Sequence, residues 1–387
     1  MPHSAARALT ALALFTPTVL GATVPPELFS PLVPQKILAT FQNLPNPTKY
    51  PQYTDQTVGA WQLFSPDTWT SGFFPATGYA LNTRKSLCGA TSSNGLDIAD
   101  WLELSREAST ALVPLEIKNN EGHDVGFLSF PFVEELAFHS ADLTGNNTLR
   151  NIGTSHADTT IKNHIRPDGG TWHVIHYNTF TGAVTAKKTA QGFSDNSTWS
   201  RGEAWGIYGF ANMWRLTGNT TYRDTSVRLA NYFLGNIPSD GIVPWDFNAP
   251  TVPAPRPADS SASTIAANGL LLLSQLETAP DLKKQWSDAA IGLLANVTKL
   301  AWDPSWQSLL SNGTVNEPAN NQLTGTVYGD YYFVRAGNEL IQMGLASCNS
   351  SGSGSSGSSN GGSGSGAGGK SGALSLTTGY ASEGLVV

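Results

Sequence analysis

The chain has 387 residues, 40% of them hydrophobic and 10% aromatic, which is enough apolar material to build a large core as one or two domains. Charged residues make up 13%, about half the usual share, the formal net charge is -7, and Lys and Arg form no cluster. Nucleic acid is therefore not an expected partner, because a duplex-binding protein needs a basic face to displace counterions.

Residues 1–22 combine an early Arg7, an apolar stretch over 8–20 and small residues at Gly21 and Ala22. The pattern reads as a signal peptide, too short to span a bilayer and stay; the alternative is a frayed or buried N-terminal helix, against which stands the Pro25-Pro26 pair that closes the segment. A secreted, extracellular glycoprotein is the expectation, in keeping with sequons at Asn146, Asn196, Asn219, Asn296, Asn312 and Asn349. Cys88 and Cys348 are the only cysteines, and a disulfide and two free thiols are both open. Residues 349–387 begin with a Gly/Ser run that cannot bury enough apolar surface to offset chain ordering, so a disordered tail is expected. Glu383 and the lack of a sustained apolar run near the end argue against a lipid anchor, and no membrane span is expected.

The body, residues 23–348, carries a degenerate repeat. Leu143-Thr144-Gly145-Asn146 precedes a helical stretch ending at Asp168-Gly169, and Leu216-Thr217-Gly218-Asn219 precedes one ending at Asp240-Gly241. A third copy runs from Leu276 through Ala279-Pro280 into a helix over 282–300. In each, an apolar helix stops at Gly or Pro, a cap follows, and an amphipathic helix begins. Helical hairpins recurring at 60 to 73 residues, with long connections rich in Trp, Gly and Pro, predict an all-α toroid of alternating inner and outer helices. A plain helical solenoid is the alternative. In the toroid the long connections gather at one end, which is where a ligand would bind.

Four stretches combine acids, Trp and Gly beyond what a core requires. They are Asp67-Thr68-Trp69-Thr70-Ser71-Gly72-Phe73-Phe74-Pro75, His123-Asp124-Val125-Gly126-Phe127, Gln191 through Glu203-Ala204-Trp205, and Tyr328-Gly329-Asp330-Tyr331-Tyr332. Trp199, Arg201 and Trp205 lie together at the start of an apolar helix. Indole faces stack on sugar rings and a guanidinium grips a carboxylate, so the trio suits an acidic sugar. The alternative is that both indoles are core and Arg201 pairs with Glu203 or another acid. Asp124 reads either as a helix cap or as a catalytic acid, and Tyr328-Gly329-Asp330 stays open as a capped turn. No metal or organic cofactor is expected, since neither a His/carboxylate ligand cluster nor a phosphate-binding Gly loop stands out.

Taken in order, Trp69 through Pro75, His123-Asp124-Val125-Gly126-Phe127, His156-Ala157-Asp158 through Arg166-Pro167-Asp168-Gly169, Ser197 through Trp205, Val243-Pro244-Trp245-Asp246-Phe247, Asp259-Ser260-Ser261-Ala262 and Tyr328 through Tyr332 resemble the unsaturated glucuronyl hydrolases, glycoside hydrolase family 88. The resemblance covers most of residues 50–345. It implies a six-hairpin α/α barrel and a glycosidase that acts as a monomer on unsaturated uronyl oligosaccharides left by lyases. It further implies that C4 of the unsaturated ring is protonated while water adds at C5, with no covalent sugar intermediate. By resemblance Asp124 is one of two functional aspartates, and Gln191, Trp199, Arg201 and Trp205, with Trp69 and His123 beside them, line the uronate pocket. Unsaturated rhamnogalacturonyl hydrolases share the fold and chemistry, but the Ser197-Thr198-Trp199-Ser200-Arg201-Gly202 run favours the glucuronyl branch.

One departure stands out. Relatives carry, after the His-Asp-Val-Gly-Phe helix, an outer helix and a further inner helix that opens with Ile-Ile-Asp and supplies the principal acid/base. Here Leu128-Ser129-Phe130-Pro131-Phe132-Val133-Glu134-Glu135 follows directly, and alignment back from Leu143 puts the missing aspartate near Ser129. About one hairpin is absent. Glu134 and Glu135 lie roughly 15 Å along a helix from Asp124, too far to share its sugar ring. Either an in-frame coding segment is missing from this sequence, or the protein is a catalytically inactive carbohydrate-binding relative.

Overall fold

The computed structural model describes residues 22–121, 145, 147–250 and 257–348. In chain order it contains α1 (Leu32–Gln42), a hairpin of β1 (Tyr50–Thr54) and β2 (Trp61–Phe64), α2 (Phe73–Cys88), α3 (Trp101–Ser109) and α4 (Asn147–His164). A second hairpin of β3 (Val174–Tyr177) and β4 (Val184–Lys188) precedes α5 (Ser200–Thr217), α6 (Thr220–Gly235), α7 (Ser260–Leu276) and α8 (Pro280–Ala301). A third, β5 (Gly313–Asn316) with β6 (Asn321–Thr324), leads into α9 (Val327–Gln342).

The helix boundaries follow local chemistry. Gly218 ends α5 at φ +68°, a left-handed conformation that costs glycine no Cβ clash, and its N–H donates to Trp214 O. Asn219 then accepts from Thr221 N at 2.9 Å and starts α6. Pro280 opens α8, where its missing N–H would have had no partner. Asp259 caps α7 by accepting from Ser261 N at 3.0 Å and Ala262 N at 3.3 Å.

Each hairpin packs an inner helix on the outer one that follows it: α2 on α3, α5 on α6, α7 on α8. The inner helices also touch one another in the order α5, α7, α9, α2. This is the alternation of an α/α toroid, as the repeat predicted. Helix α7 is buried on every side from Ser260 to Ser274, with Leu270, Leu271 and Leu273 fully inaccessible. Each such leucine contributes roughly 1.5–3 kcal/mol relative to exposure. Helix α1 packs against α2, with Phe41 against Phe74 at 4.4 Å between ring centroids.

Two cross-links close the body. Cys88, at the end of α2, forms a disulfide with Cys348, beyond α9, which settles the alternative left open by sequence. Asp330 on α9 accepts from Leu309 N at 2.8 Å and Leu310 N at 3.2 Å, while Lys36 on α1 donates to Ser308 O at 2.8 Å. The acid of the Tyr328-Gly329-Asp330 run thus holds the connection between α8 and β5. Among the described residues, no helix is long and apolar enough to cross a membrane.

Candidate active site

Among the described residues, each inner helix is preceded by a long connection that doubles back on itself. The three β-hairpins precede α2, α5 and α9, and a Pro244–Ala258 bridge closes the one before α7. These connections are stitched together: Thr54 N donates to Gly325 O at 3.0 Å, Trp199 pairs with Asp246, and Ser260 N donates to Asn312 O at 3.1 Å. The N-terminal ends of four inner helices therefore meet at the loop-bearing end. Their aligned peptide dipoles make that end favourable for negative charge.

At this end, four of the candidate residues join one run of ring contacts. Trp205 on α5 lies 6.3 Å from Phe73 on α2, and Phe73 lies 6.3 Å from Trp69. Trp69 stacks on Tyr328 with centroids 5.3 Å apart. The Arg201 guanidinium carbon sits 5.1 Å from the Tyr328 ring and 4.4 Å from the Trp199 ring, and Trp199 stacks on His173 at 4.2 Å. Gln191 reaches the same place through its backbone, whose N–H donates to His173 Nδ1 at 3.5 Å alongside Ala190 N at 3.3 Å. With Nδ1 accepting, the proton of a neutral ring lies on Nε2.

Arg201 is completely buried. Its Nη1 donates to Asp259 Oδ2 at 2.6 Å and to Thr314 O, and its Nη2 donates to Val315 O at 2.9 Å. Of the two readings open in sequence, pairing with an acid is the geometry found, and the acid is Asp259 rather than Glu203. The guanidinium lies between the Trp199 and Tyr328 faces, and a desolvated cation there adds on the order of 2 kcal/mol to each ring contact.

Trp199 is 8% exposed, and its Nε1 has no hydrogen-bond partner among the described residues. Asp246, fully buried, accepts from Phe193 N at 2.9 Å, Ser197 Oγ at 2.6 Å and Asn248 N at 2.9 Å, fastening the connection that carries Gln191 and Trp199. Burial pushes the Glu203 carboxyl up to about 8 and the Tyr328 hydroxyl up to about 12.

His123 and Asp124 lie outside the described residues, as do Ser129, Glu134 and Glu135. Sequence reasoning passed over His173, because a histidine at the foot of a β-hairpin matches no motif by itself. Tyr328 belonged to a run whose acid drew the attention while its ring reaches the site. Among the described residues no cluster of three or more His, Cys, Asp or Glu could hold a metal ion. A shallow hollow along α4, lined by Asn151, Thr154, Ser155, Asp158, Thr159 and Lys162, contains none of the candidate residues.

Comparison with known proteins points one way. An unsaturated glucuronyl hydrolase of Formosa agariphila is 37% identical over 209 residues, 52% of this chain and 51% of that protein. Another, from Bacillus sp. GL1, is 34% identical over 206 residues, 52% of this chain and 54% of that protein. The chain thus spans about half the length of the curated relatives it matches. In overall fold it is similar to the crystal structure of the Bacillus sp. GL1 enzyme, with a TM-score of 0.68 at 24% identity, covering 82% of this chain and 96% of that one. It is also similar to an unsaturated glucuronyl hydrolase described as specific for heparin, with a TM-score of 0.69 at 21% identity, covering 83% and 98%. No protein-family model matches the chain.

Proposed function

We propose that this chain is a member of the unsaturated glucuronyl hydrolase family, a glycoside hydrolase releasing 4,5-unsaturated uronic acid from the non-reducing end of lyase-made oligosaccharides. The observation that carries the reading is the unbroken run from Trp205 through Trp69, Tyr328, Arg201 and Trp199 to His173, set where the inner helices begin. The half-buried indoles of Trp69 and Trp205 suit a sugar ring, and the converging helix ends suit its carboxylate. Trp199 Nε1, buried and without a partner among the described residues, is a donor suited to a sugar oxygen.

In the proposed reaction a proton adds to C4 of the C4=C5 vinyl ether and water adds to C5, giving a hemiketal and returning one proton. Opening of the hemiketal turns the C5 hydroxyl into a ketone and breaks the C5–O5 bond, the proton passing to O5; the hemiacetal left at C1 then collapses to an aldehyde, breaking the glycosidic bond and freeing the remaining sugar as its alcohol. Asp124 is the proposed catalytic aspartate present in this chain. Trp69, Trp199, Trp205, Gln191 and His123 are the proposed pocket residues, and Arg201 acts through the two rings it holds.

A second reading is favoured by the Leu128-Ser129 departure: a carbohydrate-binding relative that keeps the aromatic run without turnover. One assay separates the two. Incubation with lyase-made disaccharides should abolish the ultraviolet absorbance of the conjugated double bond; binding with unchanged absorbance would favour the inactive relative. The Cys88–Cys348 disulfide supports an oxidising compartment, and with it the proposal that residues 1–22 direct export.

A further inference from the structure

Glu203 sits in the first turn of α5 with no exposed surface. Its Oε2 accepts from Thr171 Oγ1 at 2.8 Å, and its Oε1 has no partner among the described residues. Thr171 belongs to the tight connection between α4 and β3, where Arg166 N donates to Gly170 O at 2.8 Å and Trp172 N to His164 O at 2.8 Å. Gly170 must be glycine there, since a Cβ would stand 2.5 Å from Arg166 Nη2 and 2.7 Å from Thr198 Oγ1. Arg166 then reaches across to Asn196 O at 2.8 Å and to Thr198 Oγ1. Two residues after Thr171, His173 lies flat on Trp199. Glu203 thus ties the connection that delivers His173 to the helix that delivers Trp199.

We propose that Glu203 is a positioning residue: bonded to Thr171, it pins the 165–173 connection to α5 and so holds the His173–Trp199 shelf in place. The clamp stands on geometry alone; that the shelf binds the sugar rests on the function proposed above. An ionised carboxylate in a dry site with one unpartnered oxygen is unfavourable, and burial accordingly holds the proton on Glu203 up to about pH 8. The groups around it do not reverse this. The hydrogen bonding from Thr171 and the charge of Arg166 lower the value and Asp168 raises it, each by less than burial does. Arg228 and Tyr232 face the connection from α6, and on the α5 and α7 side Arg201 is committed to Asp259.

When the connection opens, Glu203 meets water and regains the ordinary carboxyl value near 4.5. Protonation therefore favours the closed shelf, and that contribution is lost as pH rises from about 4.5 to about 8, then stays constant. Hydrogen exchange reads this directly. After correction for intrinsic rates, protection of peptides spanning 165–175 should fall by up to about tenfold per pH unit across that window in the wild type. Glu203→Gln, which keeps the shape and cannot ionise, should show no such slope. Over the same window KM for a lyase-made disaccharide should rise several-fold in the wild type relative to Glu203→Gln, with kcat little changed. Thr171→Val should show low protection already at pH 5, which decides the matter should Glu203→Gln fail to fold. Equal slopes in wild type and Glu203→Gln, or wild-type protection in Thr171→Val, would overturn the clamp. Exchange behaviour as expected, with no turnover by any variant, leaves the clamp standing and sinks the hydrolase reading alone.

Discussion

Arg201 on α5 and Asp259 at the cap of α7 meet at 2.6 Å with both side chains fully buried, so the two inner helices share one ion pair where their N-terminal ends converge. Asp259 also accepts from the first N–H groups of α7, which makes it at once a counter-ion and a cap. Removing one partner leaves a buried charge without compensation. Asp259→Ala should lower the unfolding free energy by about 3–5 kcal/mol in urea denaturation. A loss under about 1 kcal/mol would show that the pair is solvated. Arg201→Lys should not rescue, because an ammonium lacks the planar fork that reaches Asp259, Thr314 and Val315 together.

Trp199 tests the proposed pocket. Its indole lies between Arg201 and His173, so the shelf vanishes in Trp199→Ala. The expected outcome is a KM rise of about tenfold for an unsaturated disaccharide, equal to roughly 1.4 kcal/mol, with a smaller rise in Trp199→Phe. Unchanged KM in both variants would remove Trp199 from the binding face.

The disulfide joins residues 260 apart in sequence. Closing so long a loop restricts the unfolded chain heavily, and cross-links of this kind typically contribute 2–4 kcal/mol. Cys348→Ser should lower the melting temperature by several degrees, to the value the reduced wild type shows, and reductant should not lower the variant further. Equal melting temperatures with and without reductant would mean that the bond contributes nothing.

Transcript reads across the codons for residues 126–134 should contain an additional in-frame segment encoding an Ile-Ile-Asp-like element. The run from Leu128 through Phe138 departs from the family pattern without damage to the frame, as loss of one coding block would produce. Continuous reads without such a segment would instead support the inactive relative. Losing a general acid lowers rates by on the order of 10² to 10⁴, so the absorbance assay would register the difference.

Much of the architecture was legible because it is local. Thr217-Gly218-Asn219 ends one helix and begins the next through a left-handed glycine and an asparagine cap, and both depend on residues within a turn of one another. The apolar run after Asp259 and the Pro280 start of α8 are of the same kind. Repetition of such hairpins sufficed to predict the toroid and to place the long connections at one end.

What sequence left open is what depends on contact between distant segments. Asp259 lies 58 residues from Arg201, Thr171 lies 32 from Glu203, and Tyr328 is brought to Trp69 only when the last inner helix closes against the first. Cap and turn chemistry acts over a few residues, so it selects the helices; burial and charge pairing act through space, so only the closed ring decides which arginine is spent on an internal acid, which acid keeps its proton, and which rings stand together.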